Sequence, residues 1–330
     1  MSWLRQISRS DDEVACPYRN GTFGRGARND KLKWLLAMTR YLPMSKIING
    51  KKLAEKIKDR IVKEIISCNK NIHNIVRPNL AIVLIGERPD SELYVSLKER
   101  EAKKVGIDTH LYKCPENISE PEILEMIKCL NEDKIIDAIL VQLPLPAGIN
   151  ADTIIMALDP TKDIDGFHPD NLEKLLSSCN SPDLMPPVFA TVLEILNSIN
   201  YAIKNKRVVI ISNSDIFGKT LAHILKCRGV KAETVKADDK NLTEKVSQAD
   251  VLITAAGKPK LIKKDMVKRG AVVIDIGITK QDGKAVGDVD FDEVKDMAGY
   301  ITPVPGGVGP MTIAMALRNT LEIYKRRRIE

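Results

Sequence analysis

Tyr94 and Lys98 are a pair of residues whose types and spacing could do chemistry. Four residues apart on a helix, they would share one face. A lysine exchanges protons near neutral pH only where burial or neighbouring donors lower the pKa of its amine. A tyrosine beside it could stack on an aromatic substrate. An incidental pair on a surface helix explains the same spacing and, for the pair taken alone, is the commoner explanation.

Two more segments carry polar groups that a binding site could use. Gln142 follows a strand-like run in the sequence VQLPLP, where open α/β sheets place their ligands. An amide that anchors a loop is an equal alternative. Asp163 and Asp165 precede Gly166 in the sequence KDIDGFH. They could form an Asx turn, or one of them could bind the guanidine-like edge of a heterocycle through paired hydrogen bonds.

Short apolar runs alternate with helix-length segments from Asn79 onwards, which predicts βαβ units and a mostly parallel sheet. The first series predicts strands at Leu80–Ile85, Thr109–Tyr112 and Ile136–Gln142, and helices at Ser91–Val105 and Glu120–Leu130. Prolines then accumulate between Asp159 and Pro187, which is predicted as the domain boundary.

A second series of apolar runs follows this boundary and predicts a Rossmann-type, doubly wound nucleotide domain. The run Ile301–Pro310 is so rich in proline and glycine that only a shaped loop is predicted there. A last helix, Met311 to about Tyr324, is expected to pack back on the first domain. The predicted fold class is α/β, with an N-terminal α/β catalytic domain, the nucleotide domain and a cleft between them. The strands of the second series are predicted at Arg207–Ile211, Ala232–Val235, Val251–Thr254 and Ala271–Ile276.

Residues 1–43 differ from the rest of the chain. They contain both tryptophans and a glycine-rich stretch but no sustained periodicity, whereas a helical pattern starts soon after Met44. We expect Met44 to be the native start and residues 1–43 to be a disordered extension or not part of the native chain. Arginines in this segment would suit a mitochondrial presequence, but the acidic cluster Asp11-Asp12-Glu13 argues against one.

The composition is that of a globular protein of 330 residues, long enough for two domains. No apolar run reaches the length of a membrane span, so no membrane association is expected. The net charge is +7, and residues 1–43 contribute eight basic against four acidic side chains. The four basic residues Lys325–Arg328 account for the remaining excess, since the rest of the chain is close to balanced. A frayed, solvated helix end explains it better than nucleic-acid binding, because no reader motif is present.

Cysteines and histidines show no metal-binding or redox motif. The cysteines form no C-x-x-C pair, and the histidines show neither H-x-x-x-H nor Cys/His spacing. Reduced cysteines in a cytoplasmic protein without a metal site are therefore predicted. The residues concerned are Cys16, Cys68, Cys114, Cys129, Cys179 and Cys227, and His73, His110, His168 and His223.

The motifs are weak singly but specific in their order. Tyr94-x-x-x-Lys98, VQLPLP with its glutamine 44 residues after the lysine, KDIDGFH and TPVPGGVGPMT follow one another along the chain. In this order they resemble the methylenetetrahydrofolate dehydrogenase/cyclohydrolase family, from about Met44 to Tyr324. The resemblance implies oxidation of 5,10-methylenetetrahydrofolate by hydride transfer to a nicotinamide cofactor. Hydrolysis of the resulting methenyl cation to 10-formyltetrahydrofolate would follow.

The resemblance also implies roles for the motif residues. Lys98 would be the acid/base residue of the hydrolysis, hydrogen-bonded to Gln142. Tyr94 would stack on the p-aminobenzoyl ring, and Asp165 would hold the pterin edge. Pro305 through Thr312 would close the folate site against the nicotinamide. The other substrate-binding candidates are Val141, Leu143, Gly306 and Gly309.

The same resemblance implies the division of the chain and its assembly. Residues 44–187 together with 306–330 would form the folate-binding catalytic domain, and residues 188–305 the NAD(P)-binding domain. A homodimer acting on tetrahydrofolate one-carbon derivatives is expected.

The cofactor half departs from the family pattern. Ser212 and Asn213 replace the glycine and the arginine of the family's Gly-Arg-Ser, whereas Ser214 and Gly218 match. The arginine pairs with the 2′-phosphate of NADP, and losing such a charge-assisted partner commonly costs ~1.5–3 kcal/mol. Asp238, 20 residues after Gly218, could accept the ribose 2′-OH of NAD, although a solvated charged turn is the alternative. Either NADP or NAD is expected, with NAD slightly favoured.

Two further features concern the nicotinamide side. Ile278 is another cofactor-binding candidate. Residues 186–191 read PPVFAT where the family commonly has Pro-Cys-Thr-Pro near the nicotinamide. A cyclohydrolase without dehydrogenase activity is therefore the alternative function, and a folate- or nucleotide-binding protein without turnover is a third.

Overall fold

The computed structural model describes residues 46–68, 76–179 and 184–328, so the predictions for residues 1–43 lie outside the described residues. No helix within these ranges is both long enough and apolar enough to cross a membrane. In chain order the elements are β1 (Lys46–Ile47), α1 (Gly50–Cys68), β2 (Asn79–Ile85), α2 (Pro89–Val105), β3 (Asp108–Cys114), α3 (Glu120–Glu132), β4 (Ala138–Val141), α4 (Ala151–Met156), α5 (Pro169–Ser177), α6 (Pro187–Ser198), β5 (Arg207–Ser212), α7 (Asp215–Lys226), β6 (Lys231–Val235), α8 (Leu242–Val246), β7 (Val251–Ala255), a 3₁₀ turn (Lys264–Met266), β8 (Val272–Asp275), β9 (Thr279–Gln281), β10 (Lys284–Val286), α9 (Phe291–Val294), β11 (Tyr300–Ile301) and α10 (Val308–Arg328).

The first sheet has three parallel strands in the order β3-β2-β4. The central strand β2 is apolar throughout, and every residue from Leu80 to Ile85 is buried. Its side chains alternate between two hydrophobic clusters, one formed with α1, α2 and α10 and the other with α3 and α4. Burial on both faces explains why the strand reads as a continuous apolar run instead of an alternating one.

Helix α2, which carries Tyr94 and Lys98, has clear signals at both ends. Pro89 occupies the first turn, where a missing backbone N–H removes no helical hydrogen bond. Gly106 ends the helix at φ 84°, the left-handed conformation that glycine adopts without a steric penalty. The helix therefore begins beside the carboxyl end of β2, and its face with Tyr94 and Lys98 is defined by these ends.

The second sheet has six parallel strands in the order β1-β11-β8-β7-β5-β6. Its inner strands are buried on both faces, as in doubly wound proteins. Two parallel sheets with flanking helices confirm the predicted α/β class, and each predicted strand falls within two residues of an observed one.

Two segments far apart in sequence, β1 with α1 and the helix α10, connect the two sheets. β1, which the predicted boundaries assign to the catalytic domain, pairs with β11 in the nucleotide sheet, with Lys46 opposite Tyr300. α1 then follows directly and packs against α10. The two sheets are therefore joined through their N-terminal and C-terminal segments as well as through α6.

The last helix starts earlier than predicted. α10 runs from Val308, so Val308–Pro310 are helical, and the prediction that the whole proline- and glycine-rich run is irregular is wrong. Pro310 fits because it stands in the first turn. Asn319 Nδ2 donates to the carbonyls of Ile164 and Met185, at 2.9 Å each. With the α1 contact, these bonds confirm the predicted packing of this helix on the first domain.

The basic C-terminal segment is not a frayed end. Arg328 Nε donates to Asp137 Oδ1 at 2.7 Å, and its Nη2 donates to the carbonyls of Lys134 and Ile135. Lys325 pairs with Glu64 and Glu322. The prediction of a frayed helix end is wrong because Asp137, 191 positions earlier in the chain, is fully buried and fixes the guanidinium. The end is nevertheless solvated, since Arg327 and Arg328 are exposed.

The prediction that all cysteines are reduced is also wrong. Cys179, just after α5, and Cys227, at the end of α7, form a disulfide with their Cα atoms 5.2 Å apart. His223 lies four residues before Cys227, with its Nε2 3.5 Å from the Cys227 sulfur, so the prediction that no histidine shows Cys/His spacing is wrong. The two cysteines are 48 residues apart in sequence, so no local spacing indicated that they meet.

Candidate active site

One cavity of about 880 Å³ connects the two sheets. It is lined by Tyr94 on α2, by Gln142–Pro144 after β4, by Ile276 and Ile278 after β8, and by residues 303–310 before and within α10. These residues lie at the carboxyl ends of parallel strands or beside them. This is the region in which α/β sheets bind ligands.

Gln142 lines this cavity, and its side chain meets that of Lys98, which does not itself line it. Lys98 Nζ donates to Gln142 Oε1 at 2.9 Å across 44 residues of sequence. The Gln142 amide donates in turn to the Leu143 carbonyl at 2.6 Å, and its backbone N–H donates to Val83 at 2.9 Å. Burial lowers the pKa of the Lys98 amine, while the charge of Asp165 acts in the opposite direction. A half-buried lysine held in this way can take up and release a proton closer to neutral pH.

Of the two acids in the KDIDGFH sequence, Asp163 takes the turn role that the sequence left open. Asp163 accepts from the backbone N–H groups of Asp165, Gly166 and His168, at 3.0, 3.0 and 2.9 Å, and so forms the turn. Asp165 interacts electrostatically with Lys98 instead. Burial raises the pKa of Asp165 to about 6, although the positive charge of Lys98 lowers it and Asp163 adds repulsion. In the described residues no group donates a hydrogen bond to the Asp165 carboxylate.

Tyr94 lies one helical turn before Lys98, and its ring lines the cavity. Burial, reinforced by Asp90, raises the pKa of its hydroxyl, so the phenol is neutral at physiological pH. The ring therefore offers an uncharged aromatic surface next to the lysine.

The proline- and glycine-rich loop forms the opposite wall. Pro305, Gly306 and Gly309 line the cavity, and Gly306 has φ 103°. Thr312 is set back from it, with its hydroxyl donating to the Gly309 carbonyl at 2.7 Å. Of the other substrate-binding candidates, Leu143 lines the cavity, whereas the Val141 side chain is buried in the hydrophobic cluster beneath the first sheet.

A buried pair of carboxyl groups, Asp275 and Asp288, holds the loops after β7 and β8, and sequence reasoning missed it. Asp275 accepts from the N–H groups of Gly277, Asp288 and Val289. Burial raises the pKa of the Asp275 carboxyl to about 7, although these hydrogen bonds act to lower it. Asp288 accepts from the Thr254 hydroxyl at 2.8 Å and from two backbone N–H groups. A Cβ at Gly277 would overlap Asp288, so only glycine fits; the alternation of Asp and Gly in this part of the sequence was the available signal.

Ile278 lines the cavity, whereas the other nucleotide-binding candidates lie at the carboxyl ends of β5 and β6, outside the cavity lining. Ser214 accepts from the Phe217 N–H at 3.3 Å and caps α7, whose N-terminus can face a phosphate. Ser212 is buried and hydrogen-bonds within the turn. Gly218 packs so closely on β6 that a Cβ would overlap Thr234, the helix–strand contact expected of a dinucleotide fold. Such a turn and helix end fit a dinucleotide.

Asn213 and Asp238 flank this turn differently. Asn213 Nδ2 donates to Ala256 at 3.0 Å, and its Oδ1 accepts from the Ala237 N–H. Its amide therefore links the turns after three strands. Asp238 is exposed. Lys236, a cation that sequence reasoning did not consider, is ion-paired with Asp215 and donates to the Asn213 carbonyl.

Basic side chains form much of the cavity rim, a second feature that sequence reasoning missed. Glu101 forms ion pairs with Lys58 and Lys104. Burial acts to raise the pKa of the Glu101 carboxyl, but these pairs outweigh burial and lower the pKa to about 2. The basic residues lining the cavity are Lys51, Lys58, Arg88, Arg100, Lys104 and Lys280. They outnumber the acidic ones, so the rim suits an anionic ligand.

Comparison with known proteins decides the family. Residues 48–165 match the model of the tetrahydrofolate dehydrogenase/cyclohydrolase catalytic domain, and residues 186–328 match the model of its NAD(P)-binding domain. A Bifunctional protein FolD from a Sulfurihydrogenibium species is 47% identical over 285 residues, 86% of this chain and 99% of that protein. The chain belongs to the tetrahydrofolate dehydrogenase/cyclohydrolase family.

Solved structures of the family agree with the fold. The bifunctional FolD from Campylobacter jejuni superimposes with a TM-score of 0.81 at 39% identity. The Trypanosoma brucei enzyme, solved with NADP and an inhibitor, gives 0.82 at 33%. Each comparison covers 86% of this chain and 99% of the other. The resemblance stated from the motifs is thereby confirmed, and the chain is an enzyme with a nucleotide-binding domain.

Proposed function

We propose that this chain oxidises 5,10-methylenetetrahydrofolate with a nicotinamide nucleotide and then hydrolyses the methenyl product to 10-formyltetrahydrofolate. The observation that carries the hydrolysis is the 2.9 Å hydrogen bond from the half-buried Lys98 to Gln142 beside Tyr94. Relatives named as bifunctional, at more than 40% identity over most of their length, support both steps over a cyclohydrolase alone.

Lys98 acts on the water that attacks the methenyl cation. Its neutral amine donates one hydrogen to Gln142 and keeps a lone pair, and burial increases the fraction of this neutral form. As the water oxygen bonds to the cationic carbon, Lys98 takes its proton. The carbon–N5 bond then breaks, and Lys98 passes that proton to N5. Formation of the formyl carbonyl releases one proton to solvent, which balances the reaction.

Tyr94, Asp165 and the cavity rim position the substrate. The Tyr94 ring stacks on the p-aminobenzoyl group, and the ionised Asp165 accepts two hydrogen bonds from the pterin edge. The basic rim suits the carboxylates of the glutamyl tail. Leu143, Pro305, Gly306 and Gly309 complete the walls, whereas Val141 contributes its backbone and Thr312 supports Gly309.

The nicotinamide nucleotide supplies the hydride acceptor when bound. Ser212, Asn213, Ser214 and Gly218 would cradle it, and Ile278 would contact the nicotinamide end, because it lines the cavity. Preference for NAD over NADP is supported by the neutral Asn213 and by the pairing of Lys236 with Asp215, which offsets a positive charge next to the turn. Asp238 would accept the ribose 2′-OH.

Other expectations stay predictions. We expect a homodimer in the cytoplasm. We expect no nucleic acid, membrane or metal to take part in its reaction. The domain limits are proposed as before, with residues 306–330 assigned to the catalytic domain because α10 packs on α1. The family model instead carries the nucleotide domain to residue 328.

Two absorbance assays test the proposal. Reduction of NAD and of NADP, measured separately with methylenetetrahydrofolate, reports the oxidation, and decay of the methenyl band reports the hydrolysis. We expect both activities, with a higher kcat/KM for NAD. Rapid methenyl decay without reduction of either nucleotide would leave only the cyclohydrolase.

A further inference from the structure

Cys179, His223 and Cys227 form a cluster that the folate chemistry does not use. Their donor atoms all lie within 4.8 Å of one another. The cluster borders a small hollow between α5 and α7, and no member of it lines the catalytic cavity.

The disulfide accounts for the two cysteines but not for the histidine. His223 and Cys227 are four residues apart on α7, so both side chains lie on one face, and Nε2 is 3.5 Å from the Cys227 sulfur. A disulfide has no need of an imidazole beside it. In tetrahedral zinc sites, Zn–S is about 2.3 Å and Zn–N about 2.0 Å, which places sulfur and nitrogen about 3.5 Å apart. The imidazole therefore already stands at the distance of a second ligand.

We propose that in the reduced chain Cys179, His223 and Cys227 bind Zn²⁺, and that the disulfide is the oxidised, metal-free form of the same site. A dithiol reductant supplies two electrons and two protons to the disulfide and is itself oxidised to a disulfide. Zn²⁺ then displaces the two thiol protons and takes two thiolates and one neutral imidazole. Water would fill the fourth position, which is open because Cys179 is exposed.

The geometry requires only a small rearrangement. Two thiolates on one zinc ion lie about 3.8 Å apart, so the sulfurs must separate from bonding distance. The Cα atoms, 5.2 Å apart, need not move far. Cys179 lies outside α5 and can rotate, whereas His223 and Cys227 are fixed on α7.

The surroundings are compatible with a bound cation. Apolar side chains, Leu175, Met185 and Ile224, line the hollow. Arg228 also lines the hollow, but its Nη1 donates to the Ile224 carbonyl, and two thiolates neutralise the zinc charge. Metal or disulfide would link the segment after α5 to α7, the helix that begins at the nucleotide turn.

Cobalt substitution tests the site. The full-length chain is reduced, freed of reductant and metal, and titrated with Co²⁺, which gives thiolate charge-transfer and tetrahedral d–d absorption; Zn²⁺ should then displace it at one equivalent. We expect His223→Asn to weaken binding more than about 100-fold, beyond the 10–100-fold cost of losing an outer-shell partner. Cys227→Ser should abolish the charge-transfer band. Cys129→Ser, which removes an exposed free thiol, should change nothing.

Each of these measurements either supports or overturns the zinc site. His223→Asn should still form the disulfide on oxidation, as measured by alkylation and mass, which shows that the variant is folded. Absence of a cobalt–thiolate band in the reduced parent chain would overturn the proposal. Equal metal affinity of the parent and His223→Asn would do the same. Dehydrogenase and cyclohydrolase assays are independent of this outcome.

Discussion

Lys98 shows how the environment of a lysine changes the proton chemistry that its amine can perform. Its amine donates to Gln142, and burial lowers its pKa. Lys103, five residues later on the same helix, is exposed. Variants of these two lysines therefore separate an effect of the Lys98 environment from an effect of positive charge on α2.

Replacing Lys98 with methionine should stop methenyl hydrolysis. Methionine fills similar space but cannot accept the proton of the attacking water, and general bases contribute about 100- to 10,000-fold. We expect methenyl decay to fall at least about 100-fold, with an unchanged urea midpoint. Lys103→Met is the matched control and should hydrolyse normally. Full hydrolysis by Lys98→Met would remove this residue from the mechanism.

Asp165 should make folate binding depend on pH. Its pKa is raised to about 6 by burial, so the carboxylate accepts from the pterin edge above pH 6 and is protonated below it. KM for the folate substrate should therefore rise as the pH falls through about 6, by about 10- to 100-fold for hydrogen bonds to a charged group.

Asp165→Asn tests this dependence. The amide does not titrate, so KM should be high at every pH and flat through this range. Asp90→Asn, which changes an acid that lines the cavity, should retain the dependence. A parent KM that does not change between pH 5 and 8, from about one unit below the pKa to about two units above it, would contradict the role of Asp165.

At the scale of elements, local patterns predicted strands and helices well where one physical signal dominates. β2 is a continuous apolar run because it is buried on both faces, and α2 has a proline and a glycine at its ends. The start of α10 was missed because proline is excluded from helix interiors but tolerated in the first turn, a distinction that composition does not make.

Within the site, motif order predicted the meeting of Lys98 and Gln142, although 44 residues separate them. The Asp275–Asp288 pair was missed because its evidence is a set of long-range hydrogen bonds to backbone groups. The same reason applies to Lys236, whose partner Asp215 belongs to a different element.

The turns after β5 and β6 should determine the choice of nucleotide. Asn213→Arg together with Asp238→Ser adds a cation and removes an anion where a 2′-phosphate would lie. Such a charge-assisted contact is worth about 1.5–3 kcal/mol, or about 10- to 100-fold in kcat/KM. We expect the NADP/NAD ratio of kcat/KM to rise by that factor.

Asp239→Ser is the matched control for this variant. Asp239 lies next to Asp238, but it is paired with Lys245 at 2.6 Å, and this bond lowers the pKa of its carboxyl. Its replacement should leave the ratio unchanged. A double variant with the parent's ratio would mean that another group distinguishes the nucleotides.

At the scale of the whole molecule, the two sheets are connected by segments distant in sequence. β1 joins the nucleotide sheet before α1 packs beside the first sheet, and α10 returns from the nucleotide sheet to α1. Since the catalytic cavity lies between these segments, the packing of α10 contributes to the position of the Pro305–Gly309 wall relative to Lys98.

The end of α10 should therefore contribute to stability although it is basic and near the surface. Asp137 is fully buried and accepts from Arg328 Nε and from the Asn79 N–H, so Arg328→Ala leaves a buried carboxylate with one charged partner fewer. Losing a hydrogen bond to such a group costs about 1–3 kcal/mol, which urea unfolding would detect as a lower midpoint at constant slope. Arg327→Ala, the exposed neighbour, should leave the midpoint within about 0.5 kcal/mol of the parent. Equal midpoints for both variants would mean that the Arg328–Asp137 pair adds nothing to the free energy of unfolding.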